Sequence, residues 1–468
     1  MRPKPGEAPV GKTLFDKIWD FHHVATRADG RELLYIDRHA VHELHAPHAF
    51  GEMDAKGHTV RRRDLTLVVQ DHTVPTRTGM PLRSAHIDAT RLAAQKHAVS
   101  LVDVASPEHG IVHVVTPELG IALPGLTLAC PDSHASTVGA LGCLAFGCGT
   151  TELVHVLSTQ VMALTRPRQM RVNFTGRLAP GVGAKDLALH LIRTVGVDAG
   201  RGHAIEYAGE AIRALDIEAR MTLCNMTIEW GGRTCLVAPD EKTIAWCQGR
   251  ANAPSGAAWD EAVAWWRTLA TDADASFDRE ITIDCSDVAP QLTWGTDPSQ
   301  AIGVDEPVPS DAQERTTAAL GYMGVQPGAP LLGVPVDRVF IGSCSNSRLP
   351  DLRSAAAVVR GRKVAAGVKA IVVPGSSTIK REAEREGLDR IFLEAGFEWR
   401  NAGCSMCAGA NGDIGEPGER VVSTTNRNFE NRQGRGVRTH LASPVMAAAA
   451  AVAGRIVDVR DWLPAETA

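Results

Sequence analysis

The stretch "VDRVFIGSCSNSRLPDLRSAAAVVRGRKVAAGVKAIVVPGS" (336–376) alternates short β-rich runs with one helix-like run. Its two ends, "VDRVFIGSC" (336–344) and "VKAIVVPGS" (368–376), have the apolar, β-branched composition of buried strands. The run between them, "DLRSAAAVVRG" (351–361), has the composition of a helix. Alternation of this kind favours an α/β architecture, in which helices cover the sheet. Such folds place chemistry in the turns beyond the carboxyl ends of strands, which is where Cys344 stands.

The same alternation occurs in the first third of the chain. A strand-like run, "LTLVV" (65–69), precedes the helix-like "SAHIDATRLAAQKHAV" (84–99). Two further strand-like runs, "GIVHVV" (110–115) and "LTLAC" (126–130), precede a predicted helix, "TELVHVLSTQVMAL" (151–164). We therefore predict an α/β fold throughout.

The 468 residues are too many for one ordinary domain. Two segments rich in Gly, Pro or polar residues, 166–186 and 286–313, are typical of linkers. They divide the chain into three predicted domains: 1–167, 168–290 and 291–468.

Composition excludes several classes of function. A net charge of −5 provides no basic field for nucleic acid or membrane lipid. No apolar run reaches the roughly 18 residues that span a bilayer, and the longest, "VMAAAAAVAG" (445–454), suits a buried helix. Ten cysteines without a secretory signal predict a reducing cytoplasm, where most are free thiols or metal ligands.

Three cysteines stand out by their context. Cys404 and Cys407 form a C-x-x-C pair in "NAGCSMCAGANGD" (401–413), and Cys344 follows a strand. A redox dithiol would leave Cys344 unexplained. A structural zinc site would need a fourth ligand, for which the spacing of His440 offers no support. A 4Fe–4S cluster on three thiolates would leave one iron open to substrate. The spacing of the cysteines alone favours neither a metal-binding site nor a site without metal.

Two other segments carry weaker signals. "DRHAVHELHAPH" (37–48) has four histidines at spacing three, which drifts around a helix, so we expect one or two to line a site. "ARMTLCNMTIEWGG" (219–232) predicts a helix with Asn225 and Glu229 one turn apart. Taken alone, that pair is more often solvated or capping than functional.

The chain resembles the aconitase superfamily along essentially its whole length, and within it the large subunits of bacterial 3-isopropylmalate dehydratase. The resemblance is carried by motifs in the same order: "KTLFDKIWDFH" (12–22), "LLYIDRHAVHE" (33–43), "DHTVPT" (71–76), "GIVHVVTPELGIALPG" (110–125), "DSH" (132–134), "EARMTLCNMTIE" (218–229), "FIGSCSNSR" (340–348), "AGFEWRNAGCSMC" (395–407) and "STTNRNFENRQGRG" (423–436). Many separate motifs in one order are far more specific than any one of them.

This resemblance implies three α/β domains around a central iron–sulfur cluster, without the family's fourth, swivelling domain. It implies one [4Fe–4S] cluster per chain, with Cys344, Cys404 and Cys407 as ligands and one open iron. The implied activity is that of a hydro-lyase, which isomerises 2-isopropylmalate and 3-isopropylmalate by dehydration and rehydration in leucine biosynthesis.

The resemblance also assigns the remaining site residues. Asp71 is expected to orient His72, which would protonate the departing hydroxyl. The residues matched to catalytic positions are Asp71, His72, His113, Asp132, His134 and Glu229. Those matched to substrate-binding positions are Ser133, Asn225, Asn426, Arg427 and Arg432, in which the arginine forks suit carboxylates.

In the family the catalytic base is a serine on the swivelling domain. We therefore expect a separate small subunit that carries this domain, a heterodimer, and a chain that is inactive alone; we expect neither nucleic acid nor membrane as partner. The sequence departs from the family at Ser345 (usually Thr), Pro131 and Asn431 (usually Gly), Thr73 (commonly Asn), and "AGAN" after Cys407 (usually "LAMN"). A paralogue acting on homoaconitate, citramalate or a secondary-metabolite analogue is the alternative.

Overall fold

The computed structural model describes residues 11–311 and 313–463, so the outermost residues of the first and third predicted domains lie outside the described part. The strands, numbered in chain order, are β1 (His23–Thr26), β2 (Glu32–Tyr35), β3 (Arg38–His42), β4 (Thr66–Val69), β5 (Ser100–Val102), β6 (Thr127–Cys130), β7 (Leu144–Gly147), β8 (Val161–Leu164), β9 (Arg168–Thr175), β10 (His203–Ala208), β11 (Thr234–Val237), β12 (Arg279–Asp284), β13 (Gln291–Thr293), β14 (Ala301–Gly303), β15 (Arg338–Ile341), β16 (Lys369–Val372), β17 (Glu398–Trp399), β18 (Arg420–Ser423) and β19 (Arg438–Leu441).

The α-helices, numbered in the same way, are α1 (Leu14–His22), α2 (Ala46–Ala55), α3 (Ala85–His97), α4 (Val112–Glu118), α5 (Thr150–Thr159), α6 (Ala184–Val195), α7 (Glu210–Ala214), α8 (Ile217–Asn225), α9 (Glu241–Cys247), α10 (Ala257–Trp266), α11 (Glu314–Met323), α12 (Leu349–Val359), α13 (Ser377–Arg385), α14 (Leu388–Ala395) and α15 (Pro444–Ala453). The predicted α/β class is confirmed. Within the described residues, no helix combines the length and the apolar character needed to cross a membrane.

Three parallel sheets form the framework. Their strand orders are β5-β4-β3-β6-β7, β11-β10-β9-β12 and β17-β16-β15-β18-β19. Two small antiparallel sheets, β1-β2-β8 and β13-β14, lie beside them. The large sheets follow one another along the chain, whereas the boundaries at 167 and 290 remain predictions.

Several interior strands of the first and third sheets are buried along their whole length. Every residue of β4, β6 and β15 is buried, because helices cover both faces of a parallel sheet. The "VMAAAAAVAG" segment is the buried helix that its composition predicts, α15. In the third sheet β15, α12 and β16 form the strand–helix–strand unit predicted from 336–376.

The buried apolar residues form two large cores. One joins the first and second sheets, from Leu14 to Ala301 with Leu441. The other fills the third sheet region and also takes in Ile111 and Val114. The start of α4 therefore reaches from the first part of the chain into the core of the third.

The prediction that 110–115 forms a strand is wrong, because Val112–Glu118 is helix α4. The run is buried on all sides, and a short continuous apolar run has no periodicity that separates strand from helix. The helix start is fixed by tertiary contacts: the Val112 N–H donates to Asp71 Oδ2 at 2.9 Å, and the Ile111 N–H donates to the Gly375 carbonyl at 2.9 Å.

Two predicted helices end earlier than expected. The 151–164 helix stops at Thr159, Gln160 takes a left-handed conformation, and the rest pairs with β2 as strand β8. The 219–232 helix ends as α8 at Asn225 and continues as a 3₁₀ turn, Met226–Trp230. Asn225 and Glu229 still lie about one turn apart.

Candidate active site

The loops after three buried strands meet at one small cavity. Asp71 and His72 follow β4, Asp132 follows β6 and Cys344 follows β15. The cavity has a volume of about 50 Å³, and its lining residues are Asp71, His72, Ile111, His113, Asp132, His134, Cys344, Cys404, Cys407, Ala408, Asn426, Arg427 and Arg432. The three predicted site residues outside this lining, Ser133, Asn225 and Glu229, each contact a member of it.

The three thiols are buried and free of disulfides, and polar side chains contact two of them, Cys344 and Cys407. The amide groups of Asn225 and Asn426 donate to Cys344 Sγ at 3.2 and 3.4 Å. The Cys407 thiol donates to Ser343 Oγ at 3.5 Å. Asn225 and Asn426 also contact each other at 3.1 Å, so residues distant in sequence form one shell around the sulfur atoms.

Strained backbone flanks two of these cysteines. Ser343 has φ 86° and Ser405 has φ 46°, in the left-handed region that side chains other than glycine rarely adopt. Gly403, at φ 149°, packs so closely that a Cβ there would lie 2.9 Å from Val74 Cγ2. Such strain persists only where its surroundings enforce it, and it concentrates at functional sites.

The spacing of the thiols bears on what they could hold. Ligands of a single zinc ion lie about 3.8 Å apart for thiolates, given a metal–sulfur distance near 2.3 Å. Among the described residues, the one set of ligand atoms that all lie within 4.8 Å of one another belongs to His42, Glu43, Asp71 and His72. The three thiols do not converge to that degree, so their donor set fits a larger iron–sulfur group better than a single ion.

A redox dithiol is a poor fit. Catalytic dithiols depend on a cysteine whose pKa is lowered. Burial instead raises the pKa of Cys404 well above its usual range, and the charge of Asp71 adds to this effect. Burial also raises the pKa of the Cys344 thiol to about 12.

Asp71 and His72 form the predicted carboxylate–imidazole pair. His72 Nδ1 lies 2.5 Å from Asp71 Oδ1, and its Nε2 lies 3.8 Å from Asp132 Oδ2. Burial acts to lower the pKa of His72, but the charges and hydrogen bonds of Asp71 and Glu43 outweigh it and raise that pKa well above its usual value. These carboxylates therefore favour the charged form of the His72 ring.

Glu43 is fully buried behind this pair. It accepts the backbone N–H groups of Asp71 and Thr73 at 3.1 and 2.6 Å, which fixes the turn that presents His72. The ring of His42 lies 4.5 Å from that of His72, and its Nε2 bonds to the Pro131 carbonyl at 3.0 Å. Sequence reasoning did not single out Glu43, although it ends the matching stretch "LLYIDRHAVHE".

A second chain of charged groups starts at Asp132. Its Oδ1 lies 2.7 Å from His113 Nε2 and accepts the His134 N–H at 2.7 Å. Burial opposes ionisation of Asp132, yet His113 and His134 hold its pKa well below the usual range. His134 Nε2 lies 2.8 Å from Glu229 Oε1, and the pKa of His134 is raised against its burial by Asp132 and Glu229. These carboxylates stay ionised and paired.

The two arginines of the cavity differ in their pairing. Arg427 Nε lies 2.9 Å from Glu229 Oε1, and its Nη2 donates to Ser133 Oγ at 3.0 Å. Arg432 stacks on the Phe429 ring at 5.3 Å, and its buried Nε has no partner among the described residues. Arg432 therefore has guanidinium donors free for an anionic ligand.

Arg348 was also missed by sequence reasoning. It donates to the Cys344 carbonyl at 2.9 Å and to the His113 carbonyl at 3.3 Å, so it joins the loop of a predicted ligand to α4. It ends the matching stretch "FIGSCSNSR", which was its only signal. His440 is held elsewhere, by the Thr293 carbonyl at 2.6 Å and Arg420 at 2.8 Å.

Comparison with known proteins gives a family match over most of the chain. The sequence profile of a family described as "Aconitase family (aconitate hydratase)" matches residues 16–454. Among solved structures, aconitase X from Thermococcus kodakaraensis (holo-form) is 12% identical, with coverage of 87% of this chain and 88% of that chain and a TM-score of 0.48. Proline Utilization A (PutA) from Corynebacterium freiburgense is 10% identical, with coverage of 94% and 51% and a TM-score of 0.14. Neither structural similarity is close enough to carry an argument about the site.

Proposed function

This chain belongs to the aconitase family of hydro-lyases, and from that premise we propose that it is the cluster-bearing large subunit of a 3-isopropylmalate dehydratase. It would interconvert 2-isopropylmalate and 3-isopropylmalate by dehydration and rehydration, as in leucine biosynthesis. The observation that carries the proposal is one cavity lined by three thiols, the Asp71–His72 pair and the unpaired Arg432.

Cys344, Cys404 and Cys407 would hold one [4Fe–4S] cluster per chain and leave one iron without a protein ligand. When bound, such a cluster supplies a Lewis acid for a substrate hydroxyl and carboxylate. The support is that the three thiols do not all lie within 4.8 Å of one another, and that the Asn426 side chain contacts both Cys344 Sγ and Cys407 Sγ.

His72 would deliver the proton that the departing hydroxyl needs. Its Nδ1 is engaged by Asp71 at 2.5 Å, which leaves Nε2 as the end that can face a ligand. The raised pKa favours the protonated ring in the resting state, as a general acid requires. In the reverse direction the neutral ring would take a proton from water.

Arg432 would bind a substrate carboxylate through its unpaired guanidinium. Ile111 and Ala408 are the apolar members of the lining, and they offer a surface for an alkyl substituent. A 2-substituted malate has both features, two carboxylates and a variable side chain.

The proton on carbon needs a base from elsewhere. In the described residues each carboxylate at the cavity is already paired: Asp71 with His72, Asp132 with His113. Glu229, behind the lining, is paired with His134 and Arg427. We propose that a separate small subunit supplies the base, a serine on its swivelling domain, and that the active form is a heterodimer.

A hydro-lyase acting on another malate derivative is the second candidate. Ala408 lines the cavity at a position where the resembling subunits usually carry leucine. Exchanging leucine for alanine removes three carbon atoms from the wall, which makes room for a larger substituent. Homoaconitate or a secondary-metabolite analogue would then replace isopropylmalate.

Substrate binding can be tested on this chain alone. The anaerobically reconstituted protein is reduced and titrated with 2-isopropylmalate, citramalate and homoisocitrate, while the electron paramagnetic resonance spectrum of the cluster is recorded. The proposal expects 2-isopropylmalate to change the spectrum at the lowest concentration, and the change to be lost in R432Q but kept in R435Q, where the arginine is exposed.

Preference for a larger diacid would favour the second candidate instead. In that case A408L should restore preference for the smaller diacid, whereas A410L, at an exposed position, should not. A spectrum that no malate derivative alters would contradict both.

A further inference from the structure

Lys185, the second residue of α6, is the one lysine in the described part of the chain that is buried, with 1% of its surface exposed. Its Nζ donates to the Thr425 carbonyl at 2.5 Å and the Thr424 carbonyl at 3.2 Å. It also lies 3.4 Å from Ser345 Oγ and 3.6 Å from Met226 Sδ. All four of these atoms are uncharged, so within the described residues the ammonium has hydrogen bonds but no carboxylate in direct contact.

An ammonium buried without a counter-ion is costly, because it loses its hydration and no opposite charge replaces it. This cost of desolvation appears in the pKa of Lys185, which burial lowers to about 8. Cys407 and Cys344 in their thiolate form act in the opposite direction and are the largest opposing influence on that pKa. The ammonium is therefore placed where it would interact with these cysteines once they are thiolates.

The contacts of Lys185 connect it to both loops that surround those ligands. Ser345 directly follows Cys344, and Thr425 directly precedes Asn426. Asn426 donates to Cys344 Sγ at 3.4 Å and lies 3.6 Å from Cys407 Sγ. Lys185 reaches these loops from the helix that follows β9, so the second sheet region contributes a charge to a site whose thiols belong to the third.

We propose that Lys185 is a positioning residue that holds the loop before Asn426 and serves as the fixed positive counter-charge of the cluster site. The inference rests on the proposed function in one respect, the binding of an iron–sulfur cluster by three thiolates. Thiolates and cluster together form an anionic group. That group would provide the counter-ion that Lys185 otherwise lacks.

A fixed positive charge stabilises the reduced, more negative state of a cluster. Three variants separate this charge from hydrogen bonding: K185R keeps the charge, K185Q keeps a donor without charge, and K185M keeps only the length. After anaerobic reconstitution, the midpoint potential of each is measured by redox titration monitored by electron paramagnetic resonance.

We expect K185Q and K185M to disfavour reduction at least tenfold relative to the wild type, which is a potential about 59 mV lower for one electron. K185R should stay within threefold of the wild type. If Arg is not accommodated, the comparison of K185Q with the wild type decides. Equal potentials in all variants, or a wild-type potential in K185Q with a shift in K185M alone, would overturn the proposal.

The apo-proteins provide the second readout. If neutral variants melt at the wild-type temperature without iron yet take up no cluster, while K185R does, the counter-charge is supported. If the neutral apo-proteins fail to fold, Lys185 is a structural residue and the proposal is wrong. A wild-type protein that binds no cluster would instead overturn the proposed function, which is a distinct result.

Discussion

Asn431 shows how a single departure from the family pattern can keep the local geometry. It has φ 66°, its side-chain oxygen accepts the Gly436 N–H at 2.8 Å, and its own N–H donates to the Tyr322 hydroxyl at 2.9 Å. Asparagine tolerates the left-handed region better than most residues. It can therefore stand where the resembling subunits have glycine, next to the carboxylate-binding candidate Arg432.

An N431A substitution should lower the free energy of unfolding by about 1–2 kcal/mol, the usual cost of a left-handed conformation for a residue with a Cβ. Loss of the bond to Gly436 acts in the same direction. N431G is the matched control, because glycine adopts this conformation freely. Urea unfolding of the apo-proteins measures both; equal loss in the two variants would show that the hydrogen bond, and not φ, decides.

Glu43 is the clearest example of a residue whose role is visible in the structure but not in the sequence. With Asp71 it raises the pKa of His72 against burial. Because that pKa lies above the unfolded value of about 6.5, protonated His72 contributes stability that is complete below about pH 6.5. That contribution is lost as the pH rises through the folded pKa.

The E43Q variant should therefore lower the pKa of His72 and move this loss of stability to lower pH. Nuclear magnetic resonance of ¹³C-labelled histidine rings follows the titration directly, with the His72 signal identified by its absence in H72N. E52Q, on the partly exposed surface of α2, is the control and should leave the titration unchanged. An unaltered His72 titration in E43Q would refute this role of Glu43.

Among the elements, α4 is the one whose type the sequence pattern predicts wrongly. The site nevertheless depends on this helix. Its apolar run has the composition of a strand, yet tertiary contacts make it a helix that carries His113 to Asp132. Gly110, just before it, pairs with Ser376 of the third region. This close approach of two backbones is a long-range property that no local pattern encodes.

A G110A substitution tests this packing. The added Cβ would lie 2.6 Å from the Gly375 carbonyl oxygen and 2.6 Å from Ser376 Cα, both backbone atoms that cannot swing aside. We expect a loss of about 1–3 kcal/mol in the free energy of unfolding, as for other overpacked sites. Differential scanning calorimetry and urea titration of the apo-protein measure it.

The control for that experiment is G51A. Gly51 lies inside α2, and a Cβ there would meet nothing within 4 Å. Alanine should stabilise this helix by about 0.5–1 kcal/mol. If G110A were as neutral or stabilising as G51A, α4 would not be held by the contact described.

At the scale of the whole molecule, the sequence predicts the class of fold better than the assembly of the site. Strand-end positions such as Asp71, Asp132 and Cys344 follow from local patterns and the rule for α/β sheets. Local patterns cannot show that Lys185 and Glu43 pack behind the loops at these strand ends. The contacts of each residue with those loops join segments that are far apart in the chain. The full set of site residues was identified from the family resemblance and not from local patterns. The functional roles of these residues remain predictions.

The two large cores explain why the site lies where it does. The first core spans the first two sheet regions, and the second includes Cys344, Cys404 and Cys407 together with Ile111 and Val114. The cavity therefore lies at the junction of the cores, where loops from different sheets face each other. Buried charged groups that pair across such a junction fix its geometry.

The central claim is that three thiols of this junction hold an iron–sulfur cluster. Iron and acid-labile sulfide analysis after anaerobic reconstitution tests it most directly. We predict about four irons and four sulfides per chain, lost in C344S, C404S and C407S but retained in C148S, whose cysteine does not line the cavity. Zinc in place of iron, no bound metal, or equal retention in all four variants would contradict the account.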